Sequence, residues 1–404
     1  MERALPATFD RFDARRIDDL AYLAGVAFGV VLLLAFGYFD LLSLSAIQQG
    51  DFVKFWAGPR ALLMGADPYD QSTWRDTAIS LGALRVDWSV YGYFGWAIIL
   101  MLPFALLPLE AAAAVWTIGG VALAVLAMRA LLRTYLPGVP LAHTLIAMTL
   151  LVSEPARLCL VFGQWSFLLI ASLAAMILWA RSGREVPAAL ASVVLLAKPQ
   201  LFLLTGFAVA AWARRSGHRI FIAGAVIASS LLVLASVVVL PSWPYVWIHV
   251  MPLQSMYDPP RTTTPAALLA EIFGPLGTWV ALAAIVIGAV IAFRFDPRSD
   301  QWLALWSCLS LAAAPYMWSY DQLLLLVPTV IGAGVIAQRS RRVAILLVVG
   351  VSLILLLVAT VLGVAAALRS RETYSAVIPM IVFALLAVAL WWSRSDARVP
   401  APRS

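Results

Sequence analysis

The chemistry this chain could perform begins at Asp51. It stands in Gln49-Gly50-Asp51-Phe52-Val53-Lys54-Phe55-Trp56, a carboxylate directly ahead of apolar residues at helical spacing (Phe52, Phe55, Trp56, Leu62, Leu63). A carboxylate so placed suits the removal of a proton from a hydroxyl, and near a membrane an ionisable group is costly enough to mark function by default. The position is equally that of a helix N-cap, and a cap alone would account for it. Lys198 is the second anomaly. The chain has only two lysines, and this one interrupts Leu195-Leu196-Ala197-Lys198-Pro199-Gln200-Leu201. Proline disfavours the helical conformation in the residue before it, so the segment breaks at the lysine. An ammonium at such a break suits a phosphate; snorkelling to lipid headgroups is the competing role.

Further polar residues gather around apolar segments. Gly163-Gln164-Trp165-Ser166 follows Glu154-Pro155-Ala156-Arg157. Gly163 permits close approach, Gln164 offers an amide to sugar hydroxyls, and Glu154 either lines a cavity or pairs with Arg157. In Pro315-Tyr316-Met317-Trp318-Ser319-Tyr320-Asp321-Gln322, the aromatics Trp318 and Tyr320 adjoin the carboxylate of Asp321. That composition fits carbohydrate contacts, and an interfacial aromatic belt looks similar. Gln200, beside Lys198, and His249 join the sugar- or acceptor-binding candidates; Arg261 joins Lys198 for a phosphate. Asp67 and Asp70, in Gly65-Ala66-Asp67-Pro68-Tyr69-Asp70, read as turn residues.

The elements that must position these groups are membrane-spanning. Of 404 residues 63% are apolar and 12% charged, with mean hydropathy +0.93. Soluble chains carry roughly twice that share of charge. The pattern excludes a secreted disulfide scaffold, a disordered chain and a soluble enzyme on one anchor. Two cysteines and three histidines (His143, His218, His249) show no metal spacing, so no protein-built zinc site and no metal are expected. No Walker motif, dinucleotide fingerprint or Ser-His-Asp set occurs, no nucleic-acid surface is expected, and an activated donor is not expected to be a nucleotide sugar.

Leu20–Phe39 is about 20 residues, the length a ~30 Å hydrocarbon core requires, and is read as an uncleaved helix. Arginine clusters punctuate the rest, and placing them all with the N-terminus on the cytoplasmic side gives twelve crossings. These are 20–39, 111–133, 141–152, 164–180, 187–197, 201–213, 220–240, 276–294, 302–317, 321–337, 343–368 and 377–393. Segments 141–152, 187–197 and 201–213 are half-length; either they frame a cavity opening outward or flanking residues extend them. Segment 92–107 is read as a re-entrant or interfacial helix. Two long loops, 40–110 and 241–275, face outward. The fold class is an all-α polytopic membrane protein. It comprises a cytoplasmic tail 1–19, a core 20–340, additional C-terminal helices 341–393 and a cytoplasmic tail 394–404.

Gly50-Asp51-Phe52, Gly65-Ala66-Asp67-Pro68-Tyr69-Asp70, Gly163-Gln164, Ala197-Lys198-Pro199-Gln200 and Ala314-Pro315 with Trp318 and Asp321, in this order, resemble the polytopic GT-C glycosyltransferases. The match is to glycosyltransferase family 87, which includes polyprenyl-phosphate-mannose-dependent mannosyltransferases, over residues 45 to 325. The resemblance implies a GT-C-type fold and a polyprenyl-phosphate sugar as donor substrate, with no cofactor. It implies transfer to a lipid or glycan at the outer face of the plasma membrane, with inversion. It makes Asp51 the catalytic base and Lys198 the holder of the leaving phosphate, with Gln164 and 315–322 shaping the sugar pocket. The chain departs from many relatives at Tyr91-Gly92-Tyr93-Phe94, where a Tyr-Pro-Pro motif is common. It departs again at Ser319-Tyr320-Asp321, where mycobacterial-type members have histidines. Heavy Ala, Leu and Arg use fits a GC-rich bacterial genome. The alternative function is a transporter or flippase of a lipid-linked sugar, which needs no base at Asp51; a non-catalytic scaffold is the third.

Overall fold

A computed structural model describes residues 7–36, 40, 42–86, 88–253, 262–369 and 372–395, and among them it contains helices and no strand. Eight helices are long and apolar enough to cross a bilayer: Arg15–Ala35, Leu109–Tyr135, Pro140–Phe162, Arg219–Val239, Pro275–Phe293, Ser319–Ala337, Arg341–Leu368 and Thr373–Ser393. The chain is thus an all-α polytopic membrane protein. Arg219–Val239 and Pro275–Phe293 turn wide apolar faces outward, with Ile220, Leu231, Val238, Leu276 and Trp279 exposed, as lipid contact allows. Ser319–Ala337 is enclosed almost completely by its neighbours. Close packing needs small residues where backbones meet. A Cβ on Gly25 would lie 2.7 Å from the Thr144 carbonyl, and Thr144 Oγ1 donates to the Ala21 carbonyl across the same contact.

The four remaining crossings fall on shorter helices: Ser166–Arg181, Glu185–Ala197, Leu203–Ser216 and Asp300–Ala312. Here the structure corrects two boundaries. Segment 141–152 is not half-length, because the chain bends at Ser153 and continues as Glu154–Phe162. Pro155 sits in the first turn of that second piece, where a missing N–H costs nothing. Segment 302–317 ends early, at Ala312. Two junctions result: Glu185–Ala197 meets Leu203–Ser216 at Lys198, and Asp300–Ala312 meets Ser319–Ala337 across residues 313–318.

At 13 to 14 residues and 1.5 Å per residue, Leu203–Ser216 and Asp300–Ala312 reach only about 20 Å, less than the ~30 Å of a hydrocarbon core. The segments flanking the two junctions are bonded to each other. Ser310 Oγ donates to the Leu201 carbonyl (2.8 Å), the Leu204 N–H donates to Ser310 Oγ (3.1 Å), and Trp302 Nε1 donates to the Ala208 carbonyl (3.0 Å).

Above these junctions lie the outer loops. Helix Gly95–Ala105 has 11 residues, about 16 Å, too short to cross, in keeping with the re-entrant reading of 92–107. It is pinned by side chains reaching its backbone and its neighbours. Arg60 Nη1 donates to the Ala105 carbonyl (3.1 Å), and Trp96 Nε1 to the Leu196 carbonyl (2.7 Å) beside the Lys198 break. Helix Phe52–Leu63 is more buried than an interfacial helix needs to be, with Phe52, Val53, Phe55 and Trp56 all in the core. Asp67 and Asp70 accept local backbone and hydroxyl hydrogen bonds, as turn residues do, and Asp67 also ties the two outer loops through Ser242 (2.7 Å). At the opposite end Asp19 pairs with Arg129 and Arg133, and Asp300 with Arg181.

Three crossings separate Gln71 from Ser182, both exposed. In a background lacking the two buried cysteines, Gln71→Cys and Ser182→Cys are expected to react with a membrane-impermeant maleimide from opposite faces. Labelling of both from the same face would contradict this topology.

Candidate active site

The Asp51 side chain does not cap its helix. No backbone N–H in the first turn of Phe52–Leu63 donates to it. Its two oxygens are held instead by side chains: Lys54 Nζ donates to Oδ1 (2.9 Å) and Gln164 Nε2 to Oδ2 (2.5 Å). A carboxylate has about four lone-pair sites, so this leaves room for a further donor. Gly163 explains the arrangement locally. It ends helix Glu154–Phe162 in the left-handed region (φ +64°), and a Cβ there would lie 2.6 Å from that of Phe52. The close approach lets the Asp51 N–H donate to the Phe162 carbonyl (2.8 Å) and delivers Gln164 behind the carboxylate. Gln164 itself is buried.

Lys198 is fully buried and pairs with Asp321, also fully buried, at 2.8 Å. Its backbone (φ −136°, ψ 68°) is non-helical, as the following proline demands. The ammonium also lies 4.4 Å from the centroid of the Tyr320 ring. Asp321 is satisfied further by Ser166 Oγ (3.2 Å) and by the Trp318 N–H (3.2 Å). The pair bridges the two helix junctions. A buried ion pair is tolerated when the remaining lone pairs are hydrogen-bonded, as they are here.

Both sets meet in one cavity of about 490 Å³, within the usual range for small-molecule sites of roughly 300–1,000 Å³. Asp51 and both lysines, Lys54 and Lys198, line it, together with Arg85 and Gln200. Its walls are aromatic: Trp88, Tyr93, Trp247, Tyr316, Trp318 and Tyr320. Burial first, then the nearby Asp51 charge, pushes the Tyr93 hydroxyl well above the ordinary tyrosine range, so it remains a donor. Gly92 leaves the room that the Trp88 ring fills; a Cβ there would overlap it at 1.0 Å.

The sequence candidates divide accordingly. Asp51, Lys198, Gln200, Trp318 and Tyr320 line the cavity, while Gln164 and Asp321 hold two of them from behind. Glu154 is engaged by Arg157 through two hydrogen bonds (2.6 and 2.5 Å) and does not line the cavity. His249 is exposed and stacks on Tyr245, apart from the cavity lining. Arg261 lies outside the described residues. Among those residues no group of three or more His, Cys, Asp and Glu side chains is arranged to hold a metal.

Three charged lining residues were not anticipated. Lys54 had a signal, being the chain's other lysine, three residues from Asp51. Arg85 and Glu372 had none. Glu372 lines the same cavity from the turn before the last long helix, and its Oε2 accepts from Ser319 Oγ (2.7 Å) and the Ser319 N–H (3.3 Å). Burial raises its carboxyl above the ordinary glutamate range against those two bonds, and the charges of Glu154 and Asp321 add to the rise.

A carboxylate, cations and aromatic walls in one cavity of a helical bundle suit a membrane enzyme acting on a charged, hydroxyl-rich substrate. Comparison with known families gives the class: the model of glycosyltransferase family 87 matches residues 91–328. The chain belongs to that family and is a polytopic membrane glycosyltransferase of GT-C-like type. The match takes in Gln164, Lys198, Gln200, Trp318, Tyr320 and Asp321, and begins after Asp51 and Lys54. No curated protein and no solved structure matches the chain.

Lys198→Met leaves Asp321 buried and unpaired, and is expected to lower unfolding stability by about 3–5 kcal/mol, with Lys198→Met/Asp321→Leu recovering most of it. Denaturation in lipid nanodiscs measures this, and single variants as stable as the wild type would contradict it. A carboxyl whose folded pKa is raised contributes stability that is full below its unfolded value and is lost as pH rises through the folded one. As pH climbs above 4.5, the wild type should therefore lose stability relative to Glu372→Gln, which cannot ionise. Parallel melting curves from pH 4 to pH 8 would exclude it.

Proposed function

We propose that the protein transfers a monosaccharide, mannose or another, from a polyprenyl-phosphate donor to a hydroxyl of an envelope lipid or glycan, with inversion. The observation that carries this reading is that Asp51 and Lys198 line one cavity. The Asp51 carboxylate takes the proton of the acceptor hydroxyl as its oxygen attacks the anomeric carbon. The bond between that carbon and the phosphate oxygen breaks, and the electron pair leaves with the polyprenyl phosphate. Inversion follows from this single displacement. A leaving phosphate that is already ionic needs no general acid, so one carboxylate suffices.

Gln164 and Lys54 fix the Asp51 rotamer, which supports attack from one direction. Lys198, with its ring and carboxylate neighbours, offers positive charge for the phosphate as charge develops on it. Arg261 is proposed as a second phosphate contact. The aromatic walls suit sugar rings, with Gln200, Trp318 and Tyr320 as contacts and Asp321 holding Lys198. Membrane lipids surround the chain, and the cavity is proposed to face outside a bacterial plasma membrane.

Purified protein in nanodiscs, given a panel of radiolabelled polyprenyl-phosphate sugars and total lipid extract, tests the reading. The wild type is expected to move label to a new product. Asp51→Asn should slow transfer by about 10²–10⁴-fold without altering melting. Transfer at the wild-type rate would remove Asp51 as the base, and donor translocation without product, equal in both proteins, would make the protein a flippase.

A further inference from the structure

Glu372 lies outside the family match, which ends at residue 328, in a turn between helices Arg341–Leu368 and Thr373–Ser393. Yet it lines the same cavity as Asp51 and Lys198. Oε2 takes both bonds from Ser319, and among the described residues Oε1 accepts none. The Ser319 N–H is the first of the turn Ser319–Leu325, so a plain tie would also cap a helix start. Such a tie needs no place in a cavity wall. Tyr316, Trp318 and Tyr320 line the same cavity, and a carboxyl beside aromatic rings is suited to hold a sugar ring by edge and face. Burial keeps this carboxyl protonated to higher pH than an ordinary glutamate. In that form it both donates and accepts, matching a hydroxyl, which does the same.

We propose that Glu372 binds a sugar hydroxyl in the cavity, so that the C-terminal helix pair supplies part of the sugar specificity of the site. This rests on the reading of the cavity as the glycosyl-transfer site. The hydroxyl belongs either to the donor's sugar or to a glycan acceptor, and the chemistry is the same for both. Binding decides between them without requiring turnover.

The wild type, Glu372→Ala, Glu372→Gln and Ser319→Ala are each placed in nanodiscs and titrated calorimetrically with three probes. The probes are polyprenyl phosphate, polyprenyl-phosphate mannose and a panel of methyl glycosides (mannose, glucose, galactose, arabinose). Ser319→Ala removes the hydroxyl bond of the tie while keeping the backbone N–H bond and the carboxyl, and Glu372→Gln keeps a donor and an acceptor. If the donor's sugar is the ligand, Glu372→Ala loses about tenfold of the preference for the sugar-bearing lipid over bare polyprenyl phosphate, a loss typical of one hydrogen bond. If the acceptor is the ligand, the same variant loses about tenfold in affinity for a methyl glycoside. In either case Glu372→Gln and Ser319→Ala stay near the wild type. Sugar-dependent affinity that is unchanged in Glu372→Ala, lost equally in Ser319→Ala, or absent from the wild type overturns the proposal. Failure of the wild type to bind polyprenyl phosphate counts against the donor reading instead, and leaves the glycoside comparison intact.

Discussion

The buried ion pair between Lys198 and Asp321 is the constraint on which the rest of the site depends. It joins two breaks in the helical bundle, one at Lys198 and one at residues 313–318, where polar groups need partners that lipid cannot supply. The ammonium answers the carboxylate, Ser166 and the Trp318 N–H take its remaining capacity, and Ser310 bridges the two backbones. The cavity lies against this pair and is walled with aromatic rings, among them Trp88, Tyr93, Trp247 and Tyr316.

Asp51 enters from a different part of the chain and is aimed by a separate device. Gly163 ends its helix with a positive φ and no side chain, so Phe52 packs against it and Gln164 reaches the carboxylate. The two devices share one short segment, because Gln164 holds Asp51 and Ser166, two residues on, holds Asp321. Substitutions at the ion pair and at Gly163 are therefore expected to couple.

Much of this was legible in residue types. A lysine before proline in an apolar run can only be a break, and the break is where the sequence puts it. The Gly-Gln pair pointed to a close approach. What crossed it was not legible: Asp321 lies 123 residues from Lys198, and nothing in either segment names the other. Reading 141–152 as half-length took Ser153-Glu154-Pro155 for a loop, whereas a proline in the first turn of a continuing helix is tolerated. Glu154 was read as a possible cavity residue because its pairing with Arg157 is local and competes on equal terms with any ligand. Glu372 was passed over because a single acid in a short polar turn looks like any loop residue until the fold brings it against Ser319.

The most direct test of the account is a high-resolution structure of the protein with a non-transferable polyprenyl-phosphonate sugar. The phosphonate oxygens are predicted within roughly 3 Å of Lys198 Nζ, with the anomeric carbon facing Asp51 from the side opposite the phosphonate. A lipid headgroup bound away from Lys198, or a sugar whose anomeric carbon turns away from Asp51, would contradict it.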